Sequence, residues 1–525
     1  MMDVGASRST LPLELVPEIM QRFSQSVGCL AACALVSRTF NRYATPYLYS
    51  NLILRSQGRL KLLFRTLVAR PELALLLKAL EIRVYPFGLR AEELEQLEHS
   101  ICEALRSATQ LEALCWTRTG SLNDRVLPVL SALPSLRHLE ITGDARTWSP
   151  KTLLEHLPPQ LESFAVVLPD RSLISSLRLI AQRCHSLKSF SVLLQHSAHL
   201  DDAHLIDLAK YLTSLERISL AGCRAVSQAG LTPLLLASRS GIRELALEGT
   251  AVNPSALPSL APMLQRLRQL SLTLPRARVT SVEDFLVSLA GLVRRLPFLE
   301  DLTLYASSYN RPESNPDFAD DSNDSDREGD GIEASAVPAL STAEFPTRAL
   351  QNPSTKQDQL DFLMCELVQA TEGRLRRLRA QGVRLSARGL NTLCRRAPLL
   401  SQLVVHVSSD VTPVSMRQSL SLLKHLSELH IMADVSSGVE LITEDLRQIA
   451  QDSNNLTQVG FKNRVWEVSS AARGRLGMLT VLRPDLPMYD VLPFACRSIV
   501  CRGLAGRWRP RQFQTVMLVP RWRPV

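Results

Sequence analysis

The amino-acid sequence predicts an α/β solenoid of strand–turn–helix repeats, preceded by a small all-α module. Two observations predict it: an apolar helical pattern in the first 54 residues, and a Leu-x-x-Leu-x-Leu pattern that recurs along most of the remaining chain. The chain has 525 residues, which exceeds the size of one ordinary globular core. Only 5% of the residues are aromatic, and a solenoid fits that composition because one aliphatic ladder builds its core.

The first predicted element is a group of three short helices at the start of the chain. Pro17 has no N–H to donate and suits the first turn of a helix that runs to about Phe23. Leu15 and Ile19 share one face of that helix with Phe23. A further helix is expected from about Cys29 to Tyr43. Such a small core is weak by itself, so the module should gain stability by docking on a partner or on the next domain.

The stretches Leu11-Pro12-Leu13-Glu14-Leu15 and Leu35-Val36-Ser37-Arg38 resemble the F-box family, especially its fungal form, over residues 11–54. In that family the Leu-Pro start and the helices after it bind a Skp-type adaptor, which bridges to a cullin–RING ubiquitin ligase. An ordinary helical cap on the solenoid is the alternative. The resemblance implies that the following residues form or support the adaptor contact: Leu11, Pro12, Leu15, Ile19, Leu35, Val36 and Phe40.

The repeated pattern occurs in about thirteen copies after this module. Most spacings lie between 25 and 28 residues, within the range of leucine-rich repeats. The run from Cys223 to Leu231 is similar to the cysteine-containing subclass of these repeats, which F-box proteins often carry. Ser227, Asp201 and Ser386 are expected to cap helices. The first apolar residues of the copies are Leu77, Leu111, Leu136, Leu161, Leu187, Leu215, Ile242, Leu267, Leu299, Leu375, Leu400, Leu426 and Leu456.

Strand alternation predicts which side chains face the concave surface of the solenoid, where such proteins usually bind their ligands. They are the residues that flank the inner leucines of each copy. A solvated polar face without a ligand is the alternative. The predicted target-binding residues are His138, Glu140, Arg217, Glu244, Glu248, Gln269, Asp301, Tyr305, Arg377, Arg379, His406 and His430.

The period fails between Leu299 and Leu375, which divides the solenoid into parts at residues 55–308 and 351–471. The insertion at residues 309–350 is expected to be disordered, because its segment 313–333 carries nine acidic residues and one arginine. Ser325 resembles an acidophilic kinase site, and a plain solubilising insertion is the favoured alternative. Residues 1–10 are also expected to be disordered, and the stretch from Gln357 to Ala370 is expected to be helical again.

The tail at residues 472–525 has lost the period and carries ten arginines and two aspartates. The run Arg507-Trp508-Arg509-Pro510-Arg511 combines guanidinium groups with an indole, which suits phosphate, bases or a membrane interface. An irregular tail is favoured over such a contact, and no nucleic acid is expected as a partner. The acidic insertion and the basic tail nearly cancel, so the overall charge of +9 says little about partners.

The sequence predicts no catalytic centre, cofactor or metal. It contains no Gly-rich phosphate loop, H-E-x-x-H or G-x-S-x-G motif. The densest group of possible metal ligands, His196, His199, Asp201, Asp202 and His204, also suits a helix cap. Ten cysteines without a C-x-x-C pair favour a reduced compartment, cytoplasmic or nuclear. No apolar run is long enough to span a membrane.

The resemblance to F-box proteins with leucine-rich repeats implies a non-catalytic adaptor of an SCF-type ubiquitin ligase. The F-box-like module would bind the Skp-type adaptor and through it a cullin, and the repeats would bind an unknown target protein. A repeat scaffold without a ligase role is the first alternative. A regulator of GTP hydrolysis is the second, since some leucine-rich-repeat proteins activate GTPases.

Overall fold

The computed structural model describes residues 12–24, 26–275, 281–305, 356–433, 438–453, 455–462 and 464–468. Three helices come first, as the sequence predicts: α1 (Leu15–Arg22), α2 (Val27–Ala34) and α3 (Arg38–Ser50). The predicted continuous helix from Cys29 to Tyr43 is wrong. Ser37 has an extended backbone and its hydroxyl accepts a hydrogen bond from the N–H of Phe40, so a new helix begins there.

The three helices share a small core of their own, which is separate from the large core of the repeats. Val16 and Met20 of α1 pack with Leu30 of α2 and Ala44 of α3. The buried face of α1 is therefore the face of Val16 and Met20. Leu15 and Phe23, which the sequence places on one apolar face with Ile19, remain partly exposed, whereas Ile19 packs on this core.

The rest of the described chain forms one sheet of fifteen strands that follow each other in sequence order. Strands β1 to β14 pair in parallel, and β15 pairs antiparallel with β14. Parallel neighbours need a crossover between them, and the chain supplies one in each repeat. The strands are β1 (Asn51–Leu54), β2 (Ala79–Ile82), β3 (Ala113–Trp116), β4 (His138–Thr142), β5 (Ser163–Val167), β6 (Ser189–Asp201), β7 (Arg217–Ala225), β8 (Glu244–Glu248), β9 (Gln269–Thr273), β10 (Asp301–Tyr305), β11 (Arg377–Leu385), β12 (Gln402–Val407), β13 (Glu428–Met432), β14 (Gln458–Phe461) and β15 (Arg464–Glu467).

The crossovers are helical and lie on one side of the sheet, where their apolar residues join those of the strands in one core. Two crossovers use 3-10 helices, Leu127–Ala132 and Pro254–Met263, and both contain prolines. The predicted α/β class, with a long parallel sheet and many helices, is confirmed. The helices are α4 (Gln57–Ala69), α5 (Pro71–Ala74), α6 (Ala91–Ser107), α7 (Pro150–His156), α8 (Arg171–Arg183), α9 (Asp202–Ala209), α10 (Gln228–Ala237), α11 (Val282–Val293), α12 (Lys356–Gln369), α13 (Ala387–Arg396), α14 (Pro413–Leu420) and α15 (Thr443–Asp452).

The thirteen predicted copies correspond to the strands β2 to β14. Each strand begins two residues after the first apolar residue of its copy, and that residue is at most 1% exposed in every case. Within a strand the second and fourth residues enter the core. In β9, for example, Leu270 and Leu272 are core residues, whereas Gln269 and Ser271 point to the opposite face.

The long insertion does not interrupt the sheet. Strand β10 pairs directly with β11, in a register that places Asp301 beside Arg377. Helix α12 occupies the stretch where the sequence predicts the helical pattern to resume. The acidic residues 309–350 and the basic tail 472–525 lie outside the described residues, so the expectations about them stay predictions.

Two neighbouring pairs of repeats are joined by the same carboxylate contact. Asp202 accepts hydrogen bonds from the backbone N–H of Ser227 at 2.7 Å and from its hydroxyl at 2.6 Å. Asp361 accepts the corresponding pair from Ser386. Because Ser227 and Ser386 also cap the helices α10 and α13, each carboxylate fixes the helix of the next repeat against its own.

A methyl group at Gly230 is expected to disrupt this contact. A Cβ there would lie 2.6 Å from the Cα of Asp202, so the backbone of one repeat would have to move. We expect Gly230→Ala to lower the free energy of unfolding by about 1–3 kcal/mol, measured by denaturant unfolding. Gly58→Ala is the matched control, because nothing lies within 4 Å of its Cβ position in α4. The idea fails if both variants have the same stability.

Candidate functional site

The helical module exposes apolar side chains in the turn between α2 and α3. Leu35 is 67% exposed and Val36 is 68% exposed. The turn is held in place, because the N–H groups of both residues donate to carbonyls at the end of α2 and Ser37 caps α3 directly afterwards. A fixed pair of large exposed apolar residues is the kind of feature that a partner protein can cover.

Six of the seven predicted adaptor-binding residues are described by the structure, and they fall into two groups. Pro12 and Leu15 are exposed, like Leu35 and Val36. Ile19 and Phe40 are half-buried and pack on the core of the module, where they can support a contact surface from behind. Leu11 lies outside the described residues.

Two exposed apolar residues of the module are missing from the predicted contact set. Leu13, at 61% exposed, precedes α1, and Phe23, at 39%, follows it. The sequence carried a signal for Leu13, because it stands within the Leu-Pro start of the module. The sequence assigns Phe23 to the helix face of Leu15 and Ile19, and only the packing of Val16 and Met20 shows that the two ends of this face stay exposed.

The predicted target-binding residues all lie on strands of the sheet, at first, third or fifth positions. They therefore point away from the helices, on what we call the sheet face. None of the twelve is fully exposed: five are buried and seven are half-buried. The buried ones are Glu140, Glu248, Asp301, Tyr305 and His430.

Toward the C-terminal end of the sheet, polar side chains on this face hold one another. Arg377 donates from Nε to Oδ1 of Asp301 at 2.6 Å and forms a second hydrogen bond to Oδ2. Arg379 donates to Gln402 at 2.9 Å, and Gln402 donates to Glu428 at 2.7 Å. These contacts cross strands β10 to β13, so part of the face is fixed before any ligand binds.

Burial changes the proton affinity of several groups on the sheet face. It raises the pKa of Asp301, while the Arg377 guanidinium opposes that shift. It lowers the pKa of His430, whose Nε2 lies 2.9 Å from the carbonyl of Lys462. It also lowers the pKa of His138, and the charge of Arg217 lowers it further. Both histidines are therefore favoured in their neutral form near pH 7.

The carboxylates of the predicted histidine-rich group have structural roles. Asp201 caps α9 by accepting from the N–H of His204 at 3.0 Å, and its Oδ1 lies 2.6 Å from Nδ1 of the same histidine. Asp202 accepts from Ser227, as described above. Within the described ranges, no group of three or more His, Cys, Asp or Glu side chains is arranged to hold a metal ion.

Among the helices that the structure describes, none is long and apolar enough to cross a membrane.

Burial raises the pKa of the Cys223 thiol and that of Cys394 to about 12 each. Such thiols stay protonated near neutral pH and are poor nucleophiles. They serve as core residues, as their places in the repeat core indicate.

No protein-family model and no curated protein matches the sequence. Among solved structures, the chain is similar to the leucine-rich repeat-containing protein LegL7 from Legionella pneumophila, with 15% identity and a TM-score of 0.35, over 49% of this chain and 83% of that one. It is also similar to the complex of Rad7 and Elc1 in yeast, with 13% identity and a TM-score of 0.37, over 90% of this chain and 89% of that one. Both TM-scores are low, so the architecture and function of this chain are inferred from its own register, burial and contacts.

Proposed function

We propose that this protein is a substrate-recognition adaptor of an SCF-type ubiquitin ligase. The helical module binds a Skp-type adaptor and through it a cullin, and the sheet face binds the protein to be ubiquitinated. The observation that carries the proposal is the exposed Leu35-Val36 turn on a module whose sequence resembles an F-box. The chain itself performs no chemistry in this role and acts by raising the local concentration of the target.

The module suits docking because it carries large apolar side chains that its own core does not bury. Among its described residues, four form the fully buried core, while Leu13, Leu15, Leu35 and Val36 remain exposed. Covering a Leu or Val side chain contributes about 1.5–3 kcal/mol. A partner that covers these residues therefore gains affinity and stabilises a module that is small by itself.

The sheet face suits target binding because it is long, partly fixed and carries both signs of charge. Such a face selects its partner by matching charges as well as shape. In this role the protein works in the cytoplasm, the nucleus or both, where the ligase subunits and their targets meet. No nucleic acid and no cofactor take part in the proposed activity.

A repeat scaffold that binds a partner without ubiquitination is the second candidate, because the sheet face would serve it equally well. A regulator of GTP hydrolysis is less favoured, since Arg377 is held by Asp301 and Arg379 donates to Gln402. Neither guanidinium is presented for insertion into a GTPase site. An assay of stimulated GTP hydrolysis with purified GTPases tests that third candidate directly.

The ligase and scaffold functions are separated by a restoration experiment in cells that express the protein. The cells are depleted of it and then supplied with the intact chain or with the double variant Leu35→Lys, Val36→Lys. Proteins captured by the sheet face are followed for ubiquitination and half-life. We expect the intact chain to restore rapid turnover and the double variant to fail. Equal restoration by both chains would favour the scaffold.

A further inference from the structure

One region of the sheet face carries two large nitrogen-bearing side chains with small residues between them. The register joins His138 to Ser163, Ser163 to Ser189 and Ser189 to Arg217, at the first positions of β4 to β7. Neighbouring strands lie about 4.8 Å apart, so His138 and Arg217 stand roughly 14 Å apart at their Cα atoms. The serine side chains are small, so the space over them on the sheet face is open to the imidazole and the guanidinium.

The positive charge of Arg217 acts on the imidazole of His138. On its other side in the register lies Glu244, yet Arg217 makes no ion pair with any of the described residues. Its positive charge lowers the pKa of His138, which requires the guanidinium to lie near that imidazole. Ser163 and Ser189 beneath them are only 1% and 3% exposed.

Both side chains have a buried nitrogen without a hydrogen-bond partner. Nε of Arg217 and Nδ1 of His138 are shielded from solvent, and neither has an acceptor or donor within the described part of the chain. Leaving such an atom unsatisfied costs about 1–3 kcal/mol, more for a charged group. Buried polar atoms in native proteins almost always have a partner, so each unsatisfied one needs an explanation, and a group supplied by a ligand is one.

The missing partner is best supplied by an anionic oxygen group. Arg217 can donate only, and its planar guanidinium suits a carboxylate or a phosphoryl group. A neutral imidazole can donate from Nδ1 to the same group. The nearby bases Arg137 and Lys188 are already occupied, at 2.7 and 2.9 Å from Glu162.

The surrounding charges limit the size of the ligand group. Glu140 follows His138 on the same face of β4, and Glu244 lies beside Arg217 on β8. A polyanion such as a nucleic acid would place further charges against these carboxylates, which is unfavourable. A single anionic side chain between His138 and Arg217 places no further negative charge against Glu140 or Glu244.

We propose that His138, Ser163, Ser189 and Arg217 form a binding site for one anionic side chain of the target protein. The group is the carboxylate of an aspartate or glutamate, or the phosphoryl group of a phosphoserine. This inference deepens the proposed function, on which it rests for the existence of a protein target. The site selects targets by one charged residue and leaves the rest of the sheet face to recognise its surroundings.

The test uses the full-length chain and three peptide libraries that differ only in a central residue: phosphoserine, glutamate or glutamine. We expect the chain to retain at least one anionic library about tenfold more strongly than the glutamine library, a difference of about 1.4 kcal/mol. Arg217→Gln should abolish that preference, and His138→Asn should weaken it. The matched control is Arg268→Gln, which removes the same charge from an exposed arginine that directly precedes β9.

The outcomes separate the two ligand sources. Retention of the phosphoserine library alone assigns a phosphoryl group, and retention of both anionic libraries assigns any single anion. Equal retention of all three libraries, or a preference that survives Arg217→Gln in a folded variant, overturns the proposal. The assay contains no ligase subunit, so failure of the chain to bind a Skp-type adaptor would remove the proposed ligase role without touching this result.

Discussion

Replacing Leu35 and Val36 by lysine is expected to weaken binding of a purified Skp-type adaptor by at least about a hundredfold, or about 2.8 kcal/mol. Both side chains are two-thirds exposed in the free chain, so in a complex they would be newly covered. Each would lose its burial contribution of about 1.5–3 kcal/mol, and each lysine would bring a charge into an apolar contact. Isothermal titration of the adaptor into each chain measures the change.

Stability should be unaffected, because neither residue packs on the module's core. The control double variant is Leu236→Lys, Val287→Lys, which alters residues that are 68% and 54% exposed on the repeat helices α10 and α11. We expect this control to bind the adaptor like the intact chain. If both double variants bind with the affinity of the intact chain, the turn at Leu35 and Val36 is not a docking surface.

Replacing Arg377 by methionine is expected to lower the free energy of unfolding by about 2–4 kcal/mol. Asp301 is only 8% exposed and receives two hydrogen bonds from the guanidinium. Removal of one partner leaves a buried carboxylate without its countercharge, which costs about 3–5 kcal/mol for a fully buried pair. The cost is smaller here because the Arg377 side chain is 44% exposed. Denaturant unfolding measures it.

The effect of this substitution should depend on pH. Burial already raises the pKa of Asp301 above its ordinary value of 3.8, and loss of Arg377 should raise it further. A carboxyl group whose folded pKa exceeds the unfolded one favours folding when it is protonated, so stability falls as pH rises through that interval. The deficit of Arg377→Met relative to the intact chain should therefore shrink as the pH is lowered from about 7 toward about 4.

Two further variants complete the comparison. The double variant Asp301→Asn, Arg377→Met removes both charges and should recover part of the lost stability. Arg70→Met breaks a local ion pair with Glu72 in which both side chains are 61% exposed, and it should leave stability nearly unchanged. A deficit for Arg377→Met that equals that of Arg70→Met, at every pH, would show that the buried pair does not hold β10 to β11.

The repeats could be predicted from the sequence because their signal is local and redundant. A leucine or isoleucine at the start of each copy is buried whatever lies on the sheet face, and thirteen copies reinforce one register. The interruption of the period between Leu299 and Leu375 can also be predicted from the sequence, since a polar and acidic composition cannot support a repeat core. Direct pairing of β10 with β11 follows from the parallel sheet once the insertion is set aside.

Other features could not be read in this way. The helix boundary at Ser37 depends on the role of that serine. Its hydroxyl can cap a new helix, or Ser37 can lie inside one continuous helix, and the local sequence is compatible with both. The burial of Glu140 and Asp301 arises from neighbours on adjacent strands that are distant in sequence. That Nε of Arg217 and Nδ1 of His138 are buried without a partner likewise depends on side-chain geometry, which alternation along a strand does not specify.

The measurement that most directly tests the account is light scattering after size-exclusion chromatography of the purified chain mixed with a purified Skp-type adaptor and a cullin. We predict one peak whose mass equals the 58.3 kDa chain plus one copy of each partner, and loss of that peak when Leu35 and Val36 are replaced by lysine. Separate elution of the intact chain from both partners would contradict the ligase role and leave a protein-binding scaffold.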